Sequence, residues 1–585
     1  MKRHLPVFSP TLAAFGLTLV LAACMSQPAD DAAIAEPIQA SDDTSTQNPP
    51  PSQQPLPTPA VHPRAEVIST LAGRTRPSAS FAADNRIGLI APNRPVEREN
   101  YANFDDNPVR RVVEHPVSTF SIDVDTGSYA NVRRILREGR LPPADAVRVE
   151  ELINYFSYDY PAPDSPETPF SLSIEQAITP WNPNTRLLQI GIQGYRPDPA
   201  SIPAANLVFL VDVSGSMNSP DKLPLLVNSL KMLTRELDGD DRVAIVVYAG
   251  ASGVVLESTP GDQHAKIISA LDQLSAGGPT HGAAGIELAY LQAEQGFIDG
   301  RVNRVILATD GDFNVGMVDF EALKTLIERK RKSSIALTTL GFGAGNYNDR
   351  LMEQLADAGN GNHAYIDTLN EARKVLVDEL SATLLTIAQD VKIQLEFNPA
   401  VVTEYRLIGY ENRILKREDF NNDAVDAGDI GAGHTVTALY EIALAGSGGE
   451  RIEPLRYRDE PRAATIEPAA REIGFVKLRY KQPGEPQSRQ VEQAIEPGAN
   501  QPISDRLAFA ASVAAFGQHL RGGSYLEGFD LEQIHALASR SKGADPFGYR
   551  GEFLQLIRLA EGFGLARASD SAEKPAMVDI GFGRQ

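Results

Sequence analysis

Five side chains in three separate stretches carry the oxygen donors that a hard divalent cation needs. Asp212-Val-Ser214-Gly-Ser216 ends an apolar run at 207–213. A spacing of two along an extended segment that turns into a loop brings the carboxylate and both hydroxyls to one side. Thr280 stands in the loop Gly-Gly-Pro-Thr-His-Gly at 277–282, just before a helical stretch, and Asp310 follows a second apolar run at 305–309. Carboxylate and hydroxyl oxygens suit Mg²⁺, Ca²⁺ or Mn²⁺. Each motif alone is weak, because Asp, Ser and Gly also build turns. Placed at one sheet edge, the three loops would form a site.

The surrounding pattern supplies that edge. Strand-like apolar runs at 207–213, 242–248, 254–258, 305–309, 334–341 and 363–366 alternate with helical stretches near 222–238, 263–275, 282–296, 319–331, 348–357 and 369–388. Near-continuous apolar strands separated by helices predict a doubly wound, mostly parallel α/β sheet covered on both faces. Ligands of such sheets sit outside the carboxyl ends of the strands, where Asp212 and Asp310 fall.

Asp212-x-Ser214-x-Ser216 with Thr280 and Asp310 resembles the metal-ion-dependent adhesion site of von Willebrand factor type A (VWA) domains. The resemblance implies a Rossmann-like fold in which Ser214, Ser216 and Thr280 coordinate a divalent ion, expected to be Mg²⁺ with Ca²⁺ or Mn²⁺ as alternatives. Asp212 and Asp310 would act directly or through water, and a partner protein's carboxylate would take the remaining position. The segments 120–134, 405–412 and 545–550 look like the flanking parts of a family of bacterial VWA lipoproteins, so the resemblance runs from about 100 to 565.

The rest of the chain sets context. At roughly 150 residues per domain, 585 residues argue for three or four domains. The formal charge of −21 would repel phosphate backbones, which speaks against nucleic acid as a partner. One Cys rules out an intramolecular disulfide. It stands at position 24, after Lys2, Arg3 and an apolar run ending Leu21-Ala22-Ala23, a pattern that resembles a lipoprotein signal peptide (1–23) with Cys24 as the lipidated residue. Met25 after the Cys implies, by the same resemblance, an outer-membrane lipoprotein of a Gram-negative cell envelope, facing the periplasm or the surface. Nine Pro among residues 25–64 give a disordered tether within 24–100.

Residues 101–200 read as an α+β segment specific to the family, 201–390 as the VWA domain, and 391–570 as an antiparallel β domain, expected to be a sandwich, followed by C-terminal helices near 505–520, 531–541 and 551–562.

Competing chemistries are weaker. Asp125-Thr-Gly-Ser128 is the tetrapeptide with which aspartic proteases present a catalytic carboxylate, but that chemistry needs a second carboxylate, and no second Asp-Thr-Gly occurs. Residues from 128 onward also read as a helix, which Asp125 or Ser128 would cap. Gly341-Phe-Gly-Ala-Gly345-Asn346 lacks the third Gly of a dinucleotide fingerprint, and no phosphate-loop Lys-Ser or Lys-Thr follows a Gly, so no nucleotide is expected. Asp419-x-Asn421-x-Asp423 departs from a calcium loop at Ala424 and Ile430. The expectation is a binding protein and not an enzyme. The alternatives are a hydrolase using Asp125, or a VWA scaffold with no metal-dependent binding.

Overall fold

The computed structural model describes residues 99–198, 201–280, 282–311, 320–453, 455, 471–498 and 502–570. The signal, Cys24 and the proline-rich tether lie outside these residues, as do His281 and Asp312. Among the described residues no helix is long and apolar enough to cross a membrane.

The chain opens with β1 (Arg110–Arg111), β2 (Val117–Ser121), α1 (Gly127–Arg137), α2 (Val149–Asn154), β3 (Phe170–Thr179) and β4 (Asn182–Gly194). The central part follows: β5 (Ala205–Asp212), α3 (Leu223–Thr234), β6 (Arg242–Tyr248), β7 (Ser252–Pro260), α4 (His264–Asp272), α5 (Gly282–Gln295), β8 (Val302–Thr309), α6 (Phe320–Arg331), β9 (Ala336–Phe342), α7 (Asp349–Ala358) and β10 (His363–Ile366). A broken helix then runs as α8 (Leu369–Arg373), a π turn and α9 (Leu380–Leu384). The chain closes with β11 (Thr386–Phe397), β12 (Val402–Ile408), β13 (Gly428–Gly431), β14 (Thr435–Leu444), β15 (Gly474–Lys481), β16 (Ser488–Ile495), α10 (Asp505–Leu520), α11 (Leu531–Arg540) and α12 (Tyr549–Asp570).

The central sheet has the order β10-β9-β8-β5-β6-β7. Every residue of β5 is buried, as the uninterrupted apolar run requires of a strand covered on both faces. Two apolar cores flank the sheet: Leu226, Leu230 and Ile267 pack on one side, and Ile286, Ala289 and Leu355 on the other. Full burial of one such aliphatic side chain contributes about 1.5–3 kcal/mol, so these layers dominate the stability of the part. The run at 254–258 falls in β7, which pairs antiparallel with β6 at the sheet edge, so Asp310 ends the third parallel strand in chain order.

The segments before and after this sheet build a second body together. One sheet has the order β1-β12-β14-β4-β3, so β4 from the N-terminal segment lies between β3 and β14. The facing sheet runs β13-β11-β15-β16, with β2 paired to β11. The division at 200 and 390 therefore does not separate two folding units: strands from 101–200 complete both layers of the sandwich. Phe120, Ile190, Ile393 and Tyr440 are among the residues that fill its interior. Gly191 in β4 is required by close approach, since a Cβ there would lie 2.2 Å from the Tyr160 ring. The helices α1, α2, α10, α11 and α12 share a separate apolar core with Tyr155, Phe156, Phe509 and Phe553.

Charged hubs join these bodies. Arg133 on α1, 2% exposed, bonds Glu371 at 2.7 Å on α8, Glu552 at 2.8 Å on α12, the Tyr155 hydroxyl at 3.0 Å, and Asp367. Arg148 reaches from the start of α2 to Asp349 and Glu353 on α7.

Candidate metal centre

Asp212 is the last residue of β5 and is fully buried. Its Oδ1 accepts the Ser214 backbone N–H at 2.8 Å, and its Oδ2 accepts the Thr309 hydroxyl at 2.8 Å and the Tyr248 hydroxyl at 3.2 Å. All three donors are neutral. Burial pushes the carboxyl above the usual carboxylate range, opposed by the bonds from Ser214 and reinforced by Asp310.

The chain then leaves the sheet. Ser214 Oγ and Ser216 Oγ stand 3.0 Å apart, Ser214 buried and Ser216 exposed, so the pair lies between the carboxylate and the surface. The Thr280 loop is clipped to this one by two backbone bonds, Gly215 N–H to Gly278 O at 2.9 Å and Gly277 N–H to Val213 O at 2.7 Å. Gly278 has φ +86, which the tight loop needs at that point. Asp310 follows β8, the strand beside β5, and is also fully buried.

The topology thus brings together at one sheet edge the three loops that carry Asp212, Ser214, Ser216, Thr280 and Asp310. Among the described residues no group of three or more His, Cys, Asp or Glu is placed to hold a metal ion. The donor set fits a hard divalent cation: two neighbouring hydroxyls above a buried carboxylate that, among the described residues, accepts its hydrogen bonds from neutral groups.

Sequence reasoning missed four contributors. Thr309 and Tyr248 hold Asp212, whereas Lys222 and Asn346 hold Asp310. Thr309 was signalled only by its place before Asp310. Lys222 and Asn346 lie 88 and 36 residues from Asp310, with no local pattern to mark them.

Asp125 is 5% exposed. Its Oδ1 accepts the His363 backbone N–H at 2.8 Å and its Oδ2 faces Arg413 at 3.5 Å, so the carboxylate serves packing. Neither Asp125 nor Ser128 caps α1, contrary to the sequence expectation. The N-cap is Thr126 without a side-chain bond, and Glu151 of α2 accepts the Ser128 N–H at 2.7 Å. A cavity of about 630 Å³ opens between the end of α2, the 432–435 turn and the 545–550 loop, and none of the five site residues lines it.

Residues 206–379 match the model of the von Willebrand factor type A domain, 95–189 a model described as von Willebrand factor, and 382–563 the model described as Uncharacterized protein YfbK, C-terminal. The chain is 50% identical over 468 residues to the Uncharacterized protein YfbK of Escherichia coli (strain K12), spanning 79% of this chain and 81% of that protein. The chain belongs to the YfbK family. A second relative, the Uncharacterized protein sll0103 of Synechocystis sp. (strain ATCC 27184 / PCC 6803 / Kazusa), is 29% identical over 28% of this chain and 39% of that protein.

Among solved structures, a von Willebrand factor type A protein from Catenulispora acidiphila is similar at 16% identity and a TM-score of 0.36, over 66% of this chain and 89% of that one. Proximal thread matrix protein 1 from the mussel byssus, with a zinc-occupied MIDAS motif, is similar at 23% identity and a TM-score of 0.25, over 30% of this chain and 45% of that one. The family assignment rests on the YfbK relationship and the domain models. It confirms the expected VWA fold with its β domain and C-terminal helices.

Proposed function

We propose that this YfbK-family chain is a non-enzymatic cell-envelope lipoprotein, anchored to the outer membrane by a lipid on Cys24, that captures a partner protein through a divalent cation in its VWA domain. The observation that carries the reading is the buried Asp212 carboxylate, whose donors among the described residues are neutral, beneath the Ser214–Ser216 hydroxyl pair. A buried carboxylate in such surroundings gains most from a cation brought alongside it. Ser214, Ser216 and Thr280 would supply neutral ligands, Asp212 and Asp310 the charge. The ion, expected to be Mg²⁺, would offer its remaining position to an acidic side chain of the partner.

Calorimetry with Mg²⁺ and Mn²⁺ on the wild type and Asp212→Ala tests the site. Binding by the wild type and none by the variant is expected, and equal affinity in the two would remove the site. Affinity capture from solubilised envelopes, with and without chelator, tests the partner. Capture unchanged by chelator would leave the domain a scaffold with no metal-dependent binding. Cys24→Ser should release the protein from the membrane fraction or leave it unprocessed. A Cys24→Ser protein that is cleaved normally and still floats with outer membranes would refute the anchor.

A further inference from the structure

Lys222 stands immediately before α3, with its side chain 8% exposed and its ammonium 2.8 Å from Asp310 Oδ2. The same nitrogen donates to Asn346 Oδ1 at 3.1 Å, and Asn346 Nδ2 donates to that Asp310 Oδ2 at 3.3 Å. The Lys222 stem lies over Gly343, where a Cβ would come 2.3 Å from Lys222 Cγ. Gly343 also has φ +73, so Gly at that position both makes the turn and clears the path of the stem. The Gly341–Asn346 stretch, which resembles a broken nucleotide fingerprint in the sequence, thus seats a lysine beside the cation site. Its loop is held in turn from outside the sheet: Glu99 accepts the Gly345 N–H at 2.8 Å and pairs with Arg134 at 2.9 Å.

We propose that Lys222 is a positioning residue that sets the cation affinity of the site. This inference rests on the proposed metal site and deepens it. The ammonium engages Asp310 Oδ2, the oxygen that Asn346 Nδ2 also reaches, so it competes with an ion for that carboxylate. It also cancels one of the two carboxylate charges, leaving a net −1 from Asp212, Asp310 and Lys222 where the sequence motif implies −2. A fixed positive charge in a buried setting opposes a second cation nearby, so the site holds its ion more weakly than its carboxylates alone would. Reversible occupancy is the consequence.

The test is Mn²⁺ binding to the folded chain at fixed pH, by calorimetry and by loss of the free-ion spin-resonance signal, in the wild type, Lys222→Gln, Lys222→Met and Asp212→Ala. Lys222→Met keeps the stem over Gly343 and stays informative if Lys222→Gln misfolds. Each neutral variant should bind Mn²⁺ about tenfold or more tightly than the wild type. Each should also gain more thermal stability from Mn²⁺, because tighter binding to the folded state stabilises it further. Wild-type binding with unchanged or weaker affinity in both neutral variants overturns the role of Lys222 and leaves the metal site standing. No binding by any of the folded proteins overturns the metal site and this inference together.

Discussion

Asp125 Oδ1 accepts the backbone N–H of His363 at 2.8 Å, across 238 residues of chain. His363 is the first residue of β10, so a carboxylate from the loop before α1 completes the hydrogen bonding of a strand in the VWA sheet. The other face of the loop is held by Arg413, whose guanidinium bonds Asp123 at 3.0 Å and Glu353 at 3.1 Å. A motif that looks catalytic in the sequence is a joint between two parts of the molecule. Asp125→Ala should cost about 1–3 kcal/mol of stability, the price of an unsatisfied buried N–H, while Mn²⁺ affinity stays unchanged. Thermal melting and ion titration of the same preparation check both. An unshifted melting temperature would remove the joint.

Arg133 should matter more. Its guanidinium faces Asp367, Glu371 and Glu552 with 2% exposure, so Arg133→Met removes this cation from the buried Asp367 and Glu371. Breaking such a group costs about 3–5 kcal/mol. Denaturant unfolding should show a lowered midpoint, and protease should cut at the α1, α8 and α12 junction before it cuts the VWA sheet. A loss under about 1 kcal/mol would mean that the network is worth no more than surface pairs.

Glu150, fully buried on α2, has its carboxyl pushed up to about 8 by burial, with Glu411 and Asp123 adding to the effect. The folded chain therefore keeps this proton to about pH 8, whereas the unfolded chain releases it near 4.5. Below that lower value the two states bind it equally. As pH rises from there to about 8 the folded state is progressively disfavoured, and the penalty is constant above. Glu150→Gln removes the titration, so the variant should match the wild type near pH 4.5 and exceed it by a few kcal/mol at pH 8. Stability measured across this range decides it: parallel curves would show that Glu150 does not titrate this way.

Within the metal site the losses should be graded. Ser214→Ala and Thr280→Ala each remove one neutral ligand and should weaken Mn²⁺ binding by about one to two orders of magnitude, less than Asp212→Ala, which removes charge as well. Ser216→Ala should fall with Ser214→Ala, its hydroxyl being 3.0 Å from that of Ser214. An Asp212→Ala protein that binds better than Ser214→Ala would reverse this ranking.

What the sequence determined by itself was local. Period and composition predicted the strands and helices of the central sheet, since a run such as 207–211 has no polar position to turn toward water and must be covered on both faces. The same reading put Asp212 and Asp310 at strand ends, and the spacing of Ser214 and Ser216 put their hydroxyls together. Alternation also marked the strands near 391–397, 403–410 and 435–443, but a period of two states only that one face is buried and does not say against which partner. Tertiary structure decided that β4 pairs with β14 and β2 with β11, so that the N-terminal segment completes the sandwich. It also decided the charge of the site. Lys222 meets Asp310 because α3 follows the strand next to β8, and Asn346 joins them because Gly343 and Gly345 turn the chain back at that edge with positive φ. Ion pairs between residues far apart in sequence leave no periodic trace. The chain listed the oxygens of the site, and only the packing of its loops set a lysine among them.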